Sequence, residues 1–487
     1  MAARLKSKPE KKVKHEGPVL THKKENGYTD ISKDKLKTIH SFAEGYKKFL
    51  NTARTERESV DEIIRIANAA GYVPYDKVKF ANKKFATKNF YVENRGKSLA
   101  LVNIGKRHTT EGALVLLSHV DCPRIDLKGT PVYEDGGMCF FKTHYYGGIK
   151  KFQWISSTMS IHGVVVLKGG KKVKVSVGDD PSEPAFMLPD LAIHVSGKLQ
   201  GERKYNEVVK GEELNLLVGT TPSPKAAKDA KEKVKLHVLE ILHEKYGITE
   251  KDFMSADLSI VPSARTQDVG FDRSMIAGYG HDDRSCVYTT ALATFASDAP
   301  EYTTITYFFD REEIGSVGNA SSKSLFISDV YEKILVFEGE SGLYNRVRRA
   351  QSNSKAISAD VTEAFNPTWA GVFDKHNVPF INQGTVISKY GGAGGKSGSS
   401  EASAEFMSMV VDIFDAKGVK WQVGELGKVD EGGGGTVAKD LAVYNMDVVD
   451  IGPACLALHC PTELISKFDL FSSYEAYHAF INYKGKM

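Results

Sequence analysis

Apolar residues recur at helical spacing through Leu36, Ile39, Phe42, Tyr46 and Phe49, which predicts an early amphipathic helix. A second helix is predicted directly after it, with Ser59 and Glu62 as a capping box ahead of Ile63, Ile64 and Ile66. The period then changes. Ala113–Leu117 is an unbroken apolar run of strand length and delivers His119 at its end. From about Pro131 to Met254 the chain is rich in Tyr, Val and Gly. Ile161–Leu167 followed by Lys168-Gly169-Gly170-Lys171 predicts antiparallel strands joined by turns, and a single helix there carries Val234, Val238, Ile241 and Leu242 on one face. Beyond it a helix opened by Asp282-Asp283 shows the stripe Val287, Ala291, Phe295. The run Ile305–Phe309 reads as a strand that leads into Glu312-Glu313. Strands are also predicted at Ile334–Phe337 and Val448–Ile451, and a closing helix near Tyr474–Phe480 should cover the sheet.

This order predicts an α/β protein: one unit made of residues 1–130 and 256–487, interrupted by a mostly β insert over 131–255. The 487 residues suffice for two or three domains with sizeable cores, and no internal repeat is visible. Lys+Arg total 65 against Asp+Glu 61, a balance that argues against a nucleic-acid partner and leaves partners to be inferred from sites. The five cysteines are odd in number and lack C-x-x-C spacing, which argues against a disulfide framework and fits a reducing, cytoplasmic setting. No apolar run of membrane-spanning length occurs, so no membrane association is expected. The lysine-rich stretch Arg4–Lys14 lacks the apolar core of a signal peptide and reads as a loose basic arm.

Five clusters carry the chemistry: His119-Val120-Asp121, Asp282-Asp283, Glu312-Glu313, Asp360 and His459. Each is expected where a strand-like run ends, and open α/β sheets gather distant residues at the carboxyl ends of their strands. Taken singly, every cluster has a plain alternative: a surface pair, the acidic first turn of a helix, a turn former, or a core histidine. Together they offer what a two-metal hydrolytic site needs, namely a bridging carboxylate, terminal ligands for each ion, and a free carboxylate to move protons. Asp121, two residues beyond His119, is placed to accept the proton of the imidazole's other nitrogen. Within Glu312-Glu313 one carboxylate can ligate while the other serves as base, and spacing alone does not say which.

The segments Ser118-His119-Val120-Asp121-Cys122-Pro123, Gly280-His281-Asp282-Asp283-Arg284, Asp310-Arg311-Glu312-Glu313-Ile314-Gly315-Ser316, Ser358-Ala359-Asp360 and Leu458-His459-Cys460 resemble those of the aspartyl aminopeptidase and vacuolar aminopeptidase I family of dinuclear zinc exopeptidases. The resemblance runs in order through nearly the whole chain. It implies a mixed-sheet α/β/α dizinc exopeptidase core with an inserted, mostly β dimerisation domain. It also implies two zinc ions, for which carboxylate and imidazole ligands would equally accept cobalt or manganese. By the same resemblance Asp282 bridges, His119 and Asp360 complete one site, Glu313 and His459 complete the other, Glu312 is the general base, and Asp121 orients His119. The implied activity is removal of the N-terminal residue from peptides with a free N-terminus. The implied assembly is a homo-oligomer of dimers, a dodecamer, in which His194 reaches a neighbour's site.

Two features depart from the family pattern. Glu363 and Asn366 stand where aspartate-specific members carry histidines, and the segment after Ser388-Lys389-Tyr390 runs into the glycine-rich stretch Gly391–Gly398. Lys389 is the candidate contact for an acidic substrate side chain, and neutral or acidic N-terminal residues both remain open. Gly432–Gly435 lacks the strand, lysine and helix context of a phosphate loop. The competing readings are a related dinuclear carboxypeptidase or amide deacylase, and an inactive scaffold.

Overall fold

The computed structural model describes residues 20–21, 25–78, 80–81, 84–85 and 88–487; the basic arm lies outside them. A mixed sheet of nine strands forms the centre, in the order Val73–Pro74, Asn89–Asn94, Ser98–Asn103, Thr304–Phe309, Leu114–His119, Lys355–Ser358, Asp447–Gly452, Thr385–Ser388, Trp421–Val423. Leu114–His119 lies parallel to both of its neighbours. Every residue of that strand is buried, because helices cover both faces. Val115 and Leu117 pack with the helix Phe326–Phe337 on one side. Leu114 and Leu116 pack with the helices Ala404–Lys417 and Lys467–Ile481 on the other.

A second sheet of seven strands runs from Arg124–Asp135 to Ala256–Pro262, so its first and last strands extend past 131 and 255 on either side. Thr158–Val166 pairs with both Phe186–Met187 and Ala256–Pro262, which closes the sheet on itself. The helix Lys233–Tyr246 packs Val234 and Val238 into its core. A smaller sheet of five strands runs in the order Gln267–Val269, Met275–Gly278, Glu463–Ser466, Ala454–Leu456, Thr362–Glu363.

The early helix is Lys33–Thr52, capped by Ser32. The second spans Glu56–Ala69 and begins earlier than the capping-box pattern predicts. Its cap is Thr55, which accepts from the Glu58 N–H, and Glu56 and Glu58 supply the negative charge favoured in a first turn. Ser59 is instead buried and donates to the Thr55 carbonyl. The predicted strand at Ile334–Phe337 is the last turn of the helix Phe326–Phe337. Phe326, Ile327, Val330, Tyr331, Ile334 and Leu335 form a helical stripe, and a short apolar run cannot show its period without those upstream residues.

Candidate metal centre

His119 closes the central strand, Asp360 follows Lys355–Ser358, and Glu312-Glu313 follows Thr304–Phe309. Asp282-Asp283 and His459 arrive from elsewhere, after Met275–Gly278 and Ala454–Leu456 of the five-stranded sheet. Two sheets therefore converge on one cavity of about 360 Å³, lined by His119, Asp282, Glu312, Glu313, Asp360 and His459.

The geometry is organised around Asp282. Its Oδ1 lies 3.1 Å from His119 Nε2 and its Oδ2 lies 3.1 Å from His459 Nε2. Asp360 Oδ1 stands 3.9 Å from His119 Nε2, and Glu313 Oε2 stands 3.5 Å from His459 Nε2. Each imidazole has its other nitrogen on a backbone carbonyl: His119 Nδ1 at 2.9 Å from the Asp121 oxygen, and His459 Nδ1 at 2.9 Å from the Gly148 oxygen. A carbonyl only accepts, so each Nδ1 carries the hydrogen and Nε2 is the nitrogen free to bind a cation.

The Asp121 carboxylate is further from the ring, Oδ1 being 3.4 Å from His119 Nδ1. Its main partners are the backbone N–H groups of Glu312, at 3.1 Å on Oδ1, and Glu313, at 3.2 Å on Oδ2, together with the Tyr146 hydroxyl at 2.8 Å. Asp283, beside the candidate bridging residue, accepts the His119 N–H on Oδ2 at 3.2 Å.

The electrostatics favour added positive charge. Burial pushes the Glu313 carboxyl well above its usual range, with the Asp282 charge adding to the effect, and burial together with Asp283 and Asp282 does the same to Asp360. Burial also opposes ionisation of Asp282, but hydrogen bonds from His119 and His459 overcome it and hold that carboxyl low. Burial likewise opposes a charge on His459, yet Asp282 and Glu313 raise it to about 10. The Nε2 proton thus stands where a cation would. Buried Asp283 Oδ1 and Glu313 Oε1 have no hydrogen-bond partner, which is costly for polar atoms unless an ion takes them. The ligand atoms of His119, Asp282 and Glu313, and those of His119, Asp283 and Asp360, form two groups each gathered within 4.8 Å. The donor set of carboxylates and imidazoles fits zinc.

Glu312 is pushed up to about 7, chiefly by burial and then by the charges of Asp121 and Asp282, against the opposing effect of His119. That value suits a proton carrier at neutral pH. Lys389 does not line the cavity; its ammonium stands 3.6 Å from the Glu401 carboxylate. His194 is exposed on the short helix Ile193–Ser196 and is also absent from the cavity of its own chain. The cation that does line the cavity is Lys150, two residues beyond Gly148. Sequence reasoning missed Lys150, Tyr146 and Glu463. The run Tyr145-Tyr146-Gly147-Gly148 at a strand end and a carboxylate four residues after His459 were the available signals.

A mixed α/β fold with a buried imidazole and carboxylate cluster suited to divalent cations defines a metal-dependent enzyme class. The chain belongs to the M18 family: the model of aminopeptidase I zinc metalloproteases (M18) matches residues 49–481. A probable M18 family aminopeptidase 1 of Borreliella afzelii is 41% identical over 461 residues, covering 94% of this chain and 99% of that protein. Its counterpart in Thermotoga maritima is 42% identical over 445 residues, covering 91% and 96%. The crystal structure of the M18-family aminopeptidase from Thermotoga maritima superposes with a TM-score of 0.90 at 39% identity, covering 96% of this chain and all of that one. The S. cerevisiae mApe1 dodecamer shares the fold at a TM-score of 0.71 and 19% identity, covering 90% and 95%. The protein is therefore an M18-family aminopeptidase, a zinc metalloprotease by family.

Proposed function

We propose that the chain removes the N-terminal residue, acidic or neutral, from peptides by two-zinc hydrolysis. Asp282 would be shared between the two ions, with His119 and Asp360 holding one and Glu313 and His459 holding the other. The observation that carries this reading is the pair of 3.1 Å contacts that set the two oxygens of Asp282 against two different imidazoles. When bound, the zinc pair supplies Lewis acidity that activates water and polarises the scissile carbonyl. Glu312 takes a proton from the attacking water and returns it to the departing amine, a role supported by its elevated proton affinity. Asp121 holds the Glu312-Glu313 turn through two backbone N–H groups and orients His119 through its own backbone. The acidic floor of the cavity favours a substrate α-ammonium, which restricts cleavage to the first peptide bond.

The catalytic unit comprises residues 1–130 and 256–487, and the insert over 131–255 mediates dimerisation. Strongly exposed Ile193 and Val195, at 80% and 67%, flank His194 and support burial of that segment against another copy. The assembly is a homo-oligomer, read as a dodecamer like that of S. cerevisiae mApe1, with His194 acting across an interface. All five cysteines are free, which supports a cytoplasmic location, and no helix among the described residues is long and apolar enough to cross a membrane. A panel of aminoacyl chromogenic substrates, each also N-acetylated and run with chelator and zinc add-back, tests the reading. Zinc-restored cleavage of free but not acetylated substrates is expected; equal cleavage of the acetylated forms would refute an aminopeptidase.

A further inference from the structure

Asp121 carries more than an imidazole. It is fully buried, and its two oxygens accept the N–H groups of Glu312 and Glu313 and the Tyr146 hydroxyl. The first two bonds fix the start of the single turn Glu312–Ile314, whose leading N–H groups have no partner within the turn itself. The third comes from the seven-stranded sheet. Tyr146 is the last residue of the strand Met138–Tyr146 in the closed seven-stranded sheet and is only 8% exposed. Its hydroxyl lies 2.8 Å from Asp121 Oδ2.

The ring is held independently of that bond. The Arg124 guanidinium stacks 3.9 Å from the ring centroid, and Arg124 is the register partner of Tyr146 across the strand pair. Arg124 is itself anchored by Asp126 at 2.8 Å and lies 3.7 Å from Glu56. The phenol is therefore aimed by a stacked, ion-paired scaffold rather than by the carboxylate it meets. Two residues further on, the Gly148 carbonyl takes His459 Nδ1, so one strand end contributes to both sides of the cavity.

We infer that Tyr146 is a positioning residue for hydrolysis: its phenol fixes the rotamer of Asp121, and that carboxylate fixes the turn presenting Glu312. The inference rests on the proposed role of Glu312 as general base. Without the hydroxyl, Asp121 keeps its two N–H partners but loses the donor that sets its torsion, and a small rotation is passed to the Glu312 backbone. Displacing a base from its water by a fraction of an ångström lowers turnover rather than substrate binding.

The test compares zinc-loaded wild type, Tyr146→Phe, Asp121→Asn, the double variant and Glu312→Gln for kcat, KM, zinc content and Tm. Phenylalanine keeps the ring and its contact with Arg124, so fold and zinc content are expected to hold. The expected loss in kcat is about 10- to 100-fold, the range for removing partners that orient functional groups, with KM changed less than about twofold. The double variant is expected to be no worse than Asp121→Asn alone, within about twofold, because the phenol acts through that carboxylate. A Tyr146→Phe enzyme within about twofold of wild type, a loss reversed by excess zinc, or multiplicative single losses would each overturn the assignment, provided that Glu312→Gln is inactive. An active Glu312→Gln would overturn the underlying reading and this inference with it.

Discussion

Glu463 accepts the backbone N–H of Asp282 on Oε2 at 3.1 Å while its other oxygen takes the His459 N–H at 2.8 Å. Its strand pairs with Met275–Gly278, Gly278 standing opposite Glu463, so the small sheet sets the distance between two candidate ligands that are far apart in sequence. Burial and then the nearby Asp282 charge raise this carboxyl to about 8, and only its two N–H partners and His459 oppose the rise. Glu463→Gln puts an amide NH2 against one of those N–H groups. Zinc affinity is expected to fall about 10- to 100-fold, as is typical when a residue supporting metal ligands is changed. Titration with a competing chelator checks this; unchanged affinity would show that the backbone needs no such tie.

Replacing Glu312 with Gln removes the proposed proton carrier while leaving the candidate ligand cluster intact. The expected result is a loss in kcat of about 10²- to 10⁴-fold with zinc content equal to wild type. Steady-state kinetics beside elemental analysis decide between this and a residue that merely helps hold metal.

The bridging role proposed for Asp282 makes a stoichiometric prediction. Asp282→Asn should deplete both ions, whereas Asp360→Asn and His459→Ala should each deplete one. Because an ion bound only by the folded state stabilises it, chelation should also lower Tm in wild type more than in Asp282→Asn. Zinc-to-protein ratios and calorimetry provide the readout, and an Asp282→Asn protein retaining both ions would contradict the bridge.

A separate cluster joins the second helix to the seven-stranded sheet and gives a pH prediction. His162 Nδ1 stands 3.2 Å from Glu58 Oε1, and its Nε2 stands 3.0 Å from Asp179 Oδ2. Burial opposes a charge on His162, but bonds to Asp179 and Glu58 prevail and raise it above 6.5; the two carboxyls, despite their burial, are lowered from 3.8 and 4.5 by bonds from His162. The stabilisation from the charged histidine is complete below pH 6.5 and fades as pH climbs through the raised value. The stabilisation from the two carboxylates is complete above about 4.5 and fades as pH falls through the lowered values. The stabilising effect of His162 over Gln at this position should therefore be largest between these limits and shrink as pH climbs through the raised histidine value. Tm profiles of wild type and His162→Gln measured side by side should converge on the alkaline side, and profiles that keep a constant separation would rule the pair out.

Gly452 passes so close to Asp360 that an added Cβ would lie 1.8 Å from its carbonyl oxygen. Gly452→Ala must move one backbone or the other, at a cost of about 1–3 kcal/mol. The expected result is a lower denaturation midpoint together with weaker zinc binding, since the displaced residue is a candidate ligand. A destabilised protein with intact zinc binding would mean that the strain relaxes away from Asp360.

Much of the architecture was legible because period reports environment. The unbroken apolar run before His119 has the length of a strand covered on both faces and forms one, and the helix Lys33–Thr52 shows its buried stripe through Ile39, Tyr46 and Phe49. Ile334–Phe337 was misread because four apolar residues fit either period. Lys389 sits beside Ser388 and Tyr390, which both line the cavity, yet it does not line the cavity itself, because successive residues of an extended segment face opposite ways.

The sequence by itself determined the alternation of elements, the strand-rich middle of the chain, and the pool of carboxylates and imidazoles from which a metal centre could be built. Tertiary structure alone decided which oxygen of Asp282 faces which imidazole, that Asp121 holds the Glu312 turn, and that Tyr146, Gly148 and Glu463 belong to the same cluster. The physical reason is range. Helix and strand patterns arise from neighbours a few residues apart, whereas the bond from His459 to Asp282 spans 177 residues and the bond from His459 to Gly148 spans 311, separations at which no local period carries information.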